Sequence, residues 1–293
     1  MSGIERVLEL ILYGILSGGV YGLLAMGLSL QYGVCRVLNI THGEFVMLGA
    51  MLTFTISSTF NINPLLTAAI VGPLLFAIGF LLQATLFRGL KARTPSPPVF
   101  EGSALLVAFG LMYIIQYAAV MNWSAQQQPS VYLSYRVLFL GMNIPLNELV
   151  AFAIAVALGV AVYLFLARSR LGRAIRATAE DPATASLMGV NTNMVLALCF
   201  GLGALLAGVA GTLVSIKVQA RTGIGFSNTV IALIVVTLGG LGSVPGSFVA
   251  GILIGIVSQL VIGLWEPILA MPVYYVILMV LLLVRPAGLL GKK

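Results

Sequence analysis

The chain has 293 residues, of which 60% are hydrophobic and only 8% charged, with a mean hydropathy of +1.11. Soluble globular chains carry about 25% charged residues, so this composition excludes a soluble domain and specifies an integral membrane protein. The net charge of +7 does not point to a nucleic-acid partner, because ten of the fifteen Lys and Arg residues fall in three clusters beside apolar runs: Arg88, Lys91, Arg93; Arg168, Arg170, Arg173, Arg176; and Arg285, Lys292, Lys293.

Apolar runs cover residues 10–32, 45–60, 64–87, 103–121, 149–167, 195–216, 230–241, 248–264 and 269–284. A helical span takes about 20 apolar residues. Five runs are comfortable spans and four are short, which predicts an all-α polytopic membrane helix bundle of about eight or nine transmembrane segments, some short or broken. One domain over residues 1–293 is expected. Ahead of the first run Glu5, Arg6 and Glu9 nearly cancel and no small-residue cleavage site follows, so that run is expected to be kept as a span. It carries Gly14, Gly18 and Gly22, and the run at 195–216 pairs Ala204 with Gly208 and Ala207 with Gly211. Small residues four apart let helix backbones approach closely, so both runs are expected to pack inside the bundle.

Turning the basic clusters inward makes the runs alternate without conflict. Residues 88–98, 168–191 and the tail from Arg285 then lie in the cytoplasm, and the amino terminus lies outside. Residues 122–147 become the main external loop, with one arginine, Arg136, beside Trp123, Tyr132 and Tyr135, aromatics suited to the membrane interface.

Two polar interruptions break the apolar pattern. In the first, residues 33–50, Asn39, Thr41, the only histidine His42, Gly43 and Glu44 precede a run too short for a comfortable crossing. Either a late-starting helix leaves its free amides near the membrane interior, or Asn39 and Thr41 cap an ordinary helix at the cytoplasmic boundary. The second, residues 237–251, joins two short runs through Gly239, Gly240, Gly242, Ser243, Pro245 and Gly246, where the backbone must leave helical geometry. It is either a tight turn at the surface or the lining of a water-filled path. The segments ITHGEFV (40–46) and SVPGSFV (243–249) share three residues in seven. This hints at an internal repeat, although an inverted repeat needs the two to run in opposite directions.

Residues 168–191 form the longest polar-looking stretch. Asp181 suits an amino-terminal cap, Pro182 the first helical position and Gly189 the stop, which predicts a short helix over 182–188. At about 1.5 Å per residue it is roughly 10 Å long, too short to cross a bilayer. With Ala183, Ala185, Leu187 and Met188 it is apolar enough to seek a surface: either a partner protein or the lipid headgroups. Nothing indicates catalysis, a metal or a cofactor. Cys35 and Cys199 lack metal-ligand spacing, no phosphate-binding glycine loop with its lysine occurs, and no catalytic constellation gathers around the one histidine.

Four motifs in order, GGVYGLLAMGLSLQYGV running into NITHGEFVMLGA, then RATAEDPATASLMGVN, GGLGSVPGS and LLLVRPAGLLG, resemble the permease subunits of bacterial ABC importers for branched-chain amino acids. The likeness covers nearly the whole chain. It departs at Thr41, where that family usually has alanine in an N-x-A-H-G pattern. The resemblance implies that 182–188 is a coupling helix seated in an ATPase groove, formed by Pro182, Ala185, Leu187, Met188 and Gly189 with Arg176, Glu180 and Asp181 at its edge. It implies a second homologous permease subunit, two cytoplasmic ATP-binding subunits that hydrolyse the ATP, and a periplasmic solute-binding protein. The expected setting is the inner membrane, with a periplasmic amino terminus and a cytoplasmic carboxyl terminus. Asn39, Thr41, His42, Gly43, Glu44, Gly240, Ser243 and Gly246 are expected along the substrate path. The expected cargo is a branched-chain or other hydrophobic amino acid; the same family resembles importers of urea, short amides and aromatic acids. A stand-alone secondary transporter is the rival, and it needs coupling-ion ligands at depth. Glu44 is the one acid so placed, since Glu101, Glu148 and Glu266 lie beside span ends.

Overall fold

The computed structural model describes residues 3–124, 132–139, 141–285 and 288–290. Helix α1 (Gly3–Cys35) is the axis on which the other elements can be levelled. After it come α2 (His42–Phe60), α3 (Ala68–Leu82) with a π-helical turn (Gln83–Phe87), α4 (Arg88–Arg93) and α5 (Pro97–Trp123). A hairpin of β1 (Arg136–Phe139) and β2 (Met142–Pro145) leads into α6 (Leu146–Arg168), α7 (Arg170–Glu180) and α8 (Pro182–Leu187). The chain closes with α9 (Thr192–Ser215), α10 (Ile224–Gly239), α11 (Val244–Leu264), a 3-10 turn (Pro267–Leu269) and α12 (Ala270–Val284). Among the described residues, 8 helices are long and apolar enough to cross a membrane, and α10 is a shorter apolar helix. This is a multi-pass membrane protein. The hairpin, in register Arg136 with Pro145 and Phe139 with Met142, is a small departure from the all-helical expectation.

Small residues set how closely the central helices approach. Helix α11 runs antiparallel to α1, and a Cβ on Gly14 would lie 2.4 Å from Ile256 Cα while one on Gly18 would lie 2.6 Å from Ile252 Cα. Helix α9 also runs antiparallel to α1: Gln31 reaches the Phe200 carbonyl, and Gly27 packs on Gly203. A Cβ on Gly211 would lie 2.1 Å from the Val46 carbonyl oxygen, so α2 is equally close to α9. Helices α5, α6 and α12 leave apolar side chains such as Leu106, Ile114, Val160 and Leu283 exposed, as a lipid-facing layer does. The basic clusters at Arg88, at 168–176 and at Arg285 gather at one end of the bundle, called here the basic end. The hairpin lies at the other, where Tyr132 N donates to the Ile216 carbonyl just past α9. Helices α2 and α11 both run away from the basic end, so the two similar segments that open them do not form an inverted repeat.

Candidate functional site

Residues 36–41 carry the chain from the end of α1 back into the bundle. The reversal starts at Arg36, whose φ of 55° is left-handed. His42 ends up beside Leu24 and Gly27: its Nε2 is 3.0 Å from the Leu24 carbonyl oxygen, and a Cβ on Gly27 would meet its ring. These residues precede Cys35, the last of α1, by eleven and eight positions. At about 1.5 Å per residue, α2 therefore begins roughly 12–17 Å inward from that end of α1. The helix does start late relative to α1, but its first amides are not free, being held by Asn39, Thr41 and Thr229, and the Thr41 side chain does not cap it.

Asn39, Thr41 and His42 each have protein partners. Gln31 is the hub: its Nε2 donates to the Phe200 carbonyl at 3.0 Å, and its Oε1 accepts from Asn39 Nδ2 at 3.1 Å and lies 3.2 Å from His42 Nδ1. Asn39 Oδ1 accepts from the Thr41 amide at 3.1 Å, and Thr41 Oγ1 donates to the Ala108 carbonyl of α5 at 2.9 Å. That last bond is one an alanine at position 41 would lack. The Gly43 amide donates to Thr229 Oγ1 of α10 at 2.9 Å, and Thr229 donates to the Ile40 carbonyl at 2.9 Å. A Cβ on Gly43 would lie only 2.0 Å from the Gly225 carbonyl oxygen, so glycine is what lets α2 and α10 meet. Glu44 is fully buried against Gly225, and neither carboxylate oxygen has a hydrogen-bond partner among the described residues. Sequence reasoning missed Gln31 and Thr229; the available signal was a polar side chain within an apolar run.

Gly240, Ser243 and Gly246 form a separate group at the basic end. Thr229, which touches Gly43, and Gly240 are eleven residues apart along α10, or roughly 16 Å at 1.5 Å per residue, so the two sets of residues are not brought together. Gly240 and Gly242 have φ of 99° and 88°, values that strain any side chain. Ser243 caps α11, its Oγ accepting from the Gly246 amide at 3.2 Å. The tail folds over this turn: the Leu289 and Leu290 amides donate to the Leu238 and Gly239 carbonyls at 2.7 and 3.2 Å, satisfying the open end of α10.

The short helix forms as its caps require and ends one residue early, at Leu187, with Met188 in the following turn. Asp181 accepts from the Ala183 amide at 2.8 Å and from the Thr184 hydroxyl, and Gly189 stops the helix with φ 83°. The Thr184 hydroxyl, followed by the Thr184 and Ala183 amides, holds the Asp181 carboxyl below the usual carboxylate range. Ala185 is buried, while Leu187 and Met188 are 87% and 81% exposed, so the helix presents an apolar peg at the basic end. Glu180 is exposed at its edge. Arg176 stands back from the peg, donating to the Leu166 carbonyl and lining a cavity of about 730 Å³ that Ser243 also lines.

Among the described residues no group of three or more His, Cys, Asp or Glu is placed to hold a metal, and both cysteines are free and buried. The sequence matches the family described as branched-chain amino acid transport system / permease component over residues 10–284. It is 28% identical over 307 residues to BraD of Pseudomonas aeruginosa, a high-affinity branched-chain amino acid transport system permease protein, covering 100% of this chain and 98% of that one. It is 32% identical over 292 residues to LivH of Escherichia coli K12, of the same description, covering 95% and 94% of the two chains. LivM of that strain, a second permease protein so described, is 26% identical over 292 residues, covering 92% of this chain and 68% of LivM. This chain therefore belongs to the family of permease components of branched-chain amino acid transport systems.

Proposed function

We propose that the chain forms half of the pathway of an ATP-driven importer of branched-chain or other hydrophobic amino acids, with its basic end in the cytoplasm and its amino terminus in the periplasm. The descriptions of BraD and LivH support the cargo. The gathering of arginines at one end supports the orientation. Likeness to both LivH and LivM, two permease proteins of one organism, supports pairing with a second homologous permease. Two ATP-binding subunits dock at the basic end, and a periplasmic solute-binding protein delivers cargo at the hairpin end.

The observation that carries this reading is the exposed Leu187 and Met188 on a helix of one and a half turns whose two ends are fixed by Asp181 and Gly189. Water-exposed apolar side chains on so small a helix suit a groove in another subunit. Closure of the ATPase pair moves the pegs, and the cavity between the permeases changes its open side. In this reading Asn39, Thr41, His42, Gly43 and Glu44 are the packed wall of the path, reached by cargo when α2 parts from α10. Gly240, Ser243 and Gly246 are its hinge at the inner end. The test is leucine uptake by the reconstituted complex carrying Leu187→Asp with Met188→Asp. ATP-driven uptake is expected to vanish with the permease still folded, and undiminished uptake would overturn the proposal.

A further inference from the structure

We propose that the cavity at the basic end is a site for an acidic phospholipid, whose phosphate sits between Arg36 and Arg176 and whose acyl ester oxygens accept from Ser29. The assignment rests on the import reading only for which leaflet supplies the lipid. The cavity's volume, about 730 Å³, lies in the range of small-molecule sites, roughly 300–1,000 Å³.

Its polar groups are graded along α1. At the floor, Ser29 is fully buried, and its hydroxyl has no hydrogen-bond partner among the described residues although it borders the cavity. Buried hydroxyls are nearly always hydrogen-bonded, so this one lacks an acceptor that a ligand would bring. At the rim stand the exposed guanidiniums of Arg36 and Arg176. Arg176 gives one donor to the Leu166 carbonyl and has others left for an anion. Planar guanidinium forks match phosphate geometry. Arg36, just past the end of α1, is seven positions after Ser29, roughly 10 Å at about 1.5 Å per residue. Between them the wall is apolar: Leu30, Val34, Leu166 and Ile175.

An anionic head at the rim, a neutral acceptor deeper in and an aliphatic body along the wall describe a glycerophospholipid in the leaflet on the basic side. No aspartate or glutamate lines the cavity, so a zwitterionic head has no partner for its ammonium. A free branched-chain carboxylate shares the anionic head and apolar body, but it is too short to reach both the rim and Ser29. Because Arg36 follows α1 and Arg176 belongs to α7, the bound phosphate ties the helix that precedes the peg to the axis of the bundle.

The experiment is native mass spectrometry of the full chain, with whatever subunits co-purify, after exchange into phosphatidylcholine alone or into phosphatidylcholine with phosphatidylglycerol. One phosphatidylglycerol is expected to stay bound where phosphatidylcholine does not. Retention is expected to fall about ten-fold or more in Arg36→Gln, which removes a charged hydrogen bond, and less in Ser29→Ala. Equal retention of both lipids, or unchanged retention in the two variants, would overturn the proposal. Displacement of the lipid by millimolar 4-methyl-2-oxopentanoate would assign the site to a free carboxylate and overturn it as well. A complex that binds phosphatidylglycerol as described and takes up no amino acid would refute the import reading alone.

Discussion

Gly43 makes one of the tightest joints in the bundle. A methyl group there would meet the Gly225 carbonyl oxygen at 2.0 Å and the Thr229 amide nitrogen at 2.6 Å, backbone atoms that cannot swing aside as a side chain can. Gly43→Ala is expected to cost about 1–3 kcal/mol or more, read as a lowered thermal midpoint of the purified protein. Thr41→Ala, which removes the bond to Ala108 and leaves no clash, is expected to cost about 1 kcal/mol. Asp181 predicts a pH dependence. Its carboxyl is held low by Thr184, so its cap on α8 is at full strength at neutral pH. The cap persists below the ordinary carboxylate range and is lost as pH falls through the depressed value. Protection of the amides of residues 184–187, taken relative to the intrinsic exchange rate at each pH, is expected to fall in acid in the native chain and to lose that pH dependence in Asp181→Asn, which keeps an acceptor for the amide.

At the level of elements, the ion pair between Lys217 Nζ and Glu148 Oε2, 2.7 Å long, joins the end of α9 to the start of α6. Ser17 of α1 binds both partners. With side chains only 14% and 16% exposed, the pair is shielded from most solvent. Lys217→Ala is expected to cost about 3 kcal/mol by leaving Glu148 unpaired, whereas Lys217→Met with Glu148→Gln is expected to recover most of it; denaturation midpoints measure both. The apolar runs marked out every long helix, but several helices begin earlier than hydropathy indicates. Helix α10 starts at Ile224 rather than 230, because Ser227 and Asn228 bond back to the Ile224 carbonyl and Thr229 pairs with α2. Helix α7 was unreadable from apolar runs since arginines fill it, although Ser169 caps it through the Gly172 amide. The peg was legible because Asp181, Pro182 and Gly189 act within a few residues of one another. Gln31 was not, because its partners Asn39, His42 and Phe200 are chosen by tertiary packing across up to 169 residues.

For the whole molecule, the basic end holds the peg, the glycine turn closed by the tail, and the cavity bordered by Arg36 and Arg176. The deep start of α2 lies roughly 16 Å away along α10. In the proposed coupling, a push on α8 passes first to α7 and α9, which it touches, before it reaches the α2–α10 joint. The sidedness of the peg tests this arrangement most directly. Cys35 and Cys199 are buried and free, so Leu187→Cys would be the accessible thiol among the described residues. A membrane-impermeant maleimide is expected to label it in inverted vesicles stripped of peripheral subunits, to leave it unlabelled in intact cells, and to be blocked when the ATP-binding subunits are restored. Labelling from outside intact cells, or labelling that those subunits leave unchanged, would contradict the coupling role.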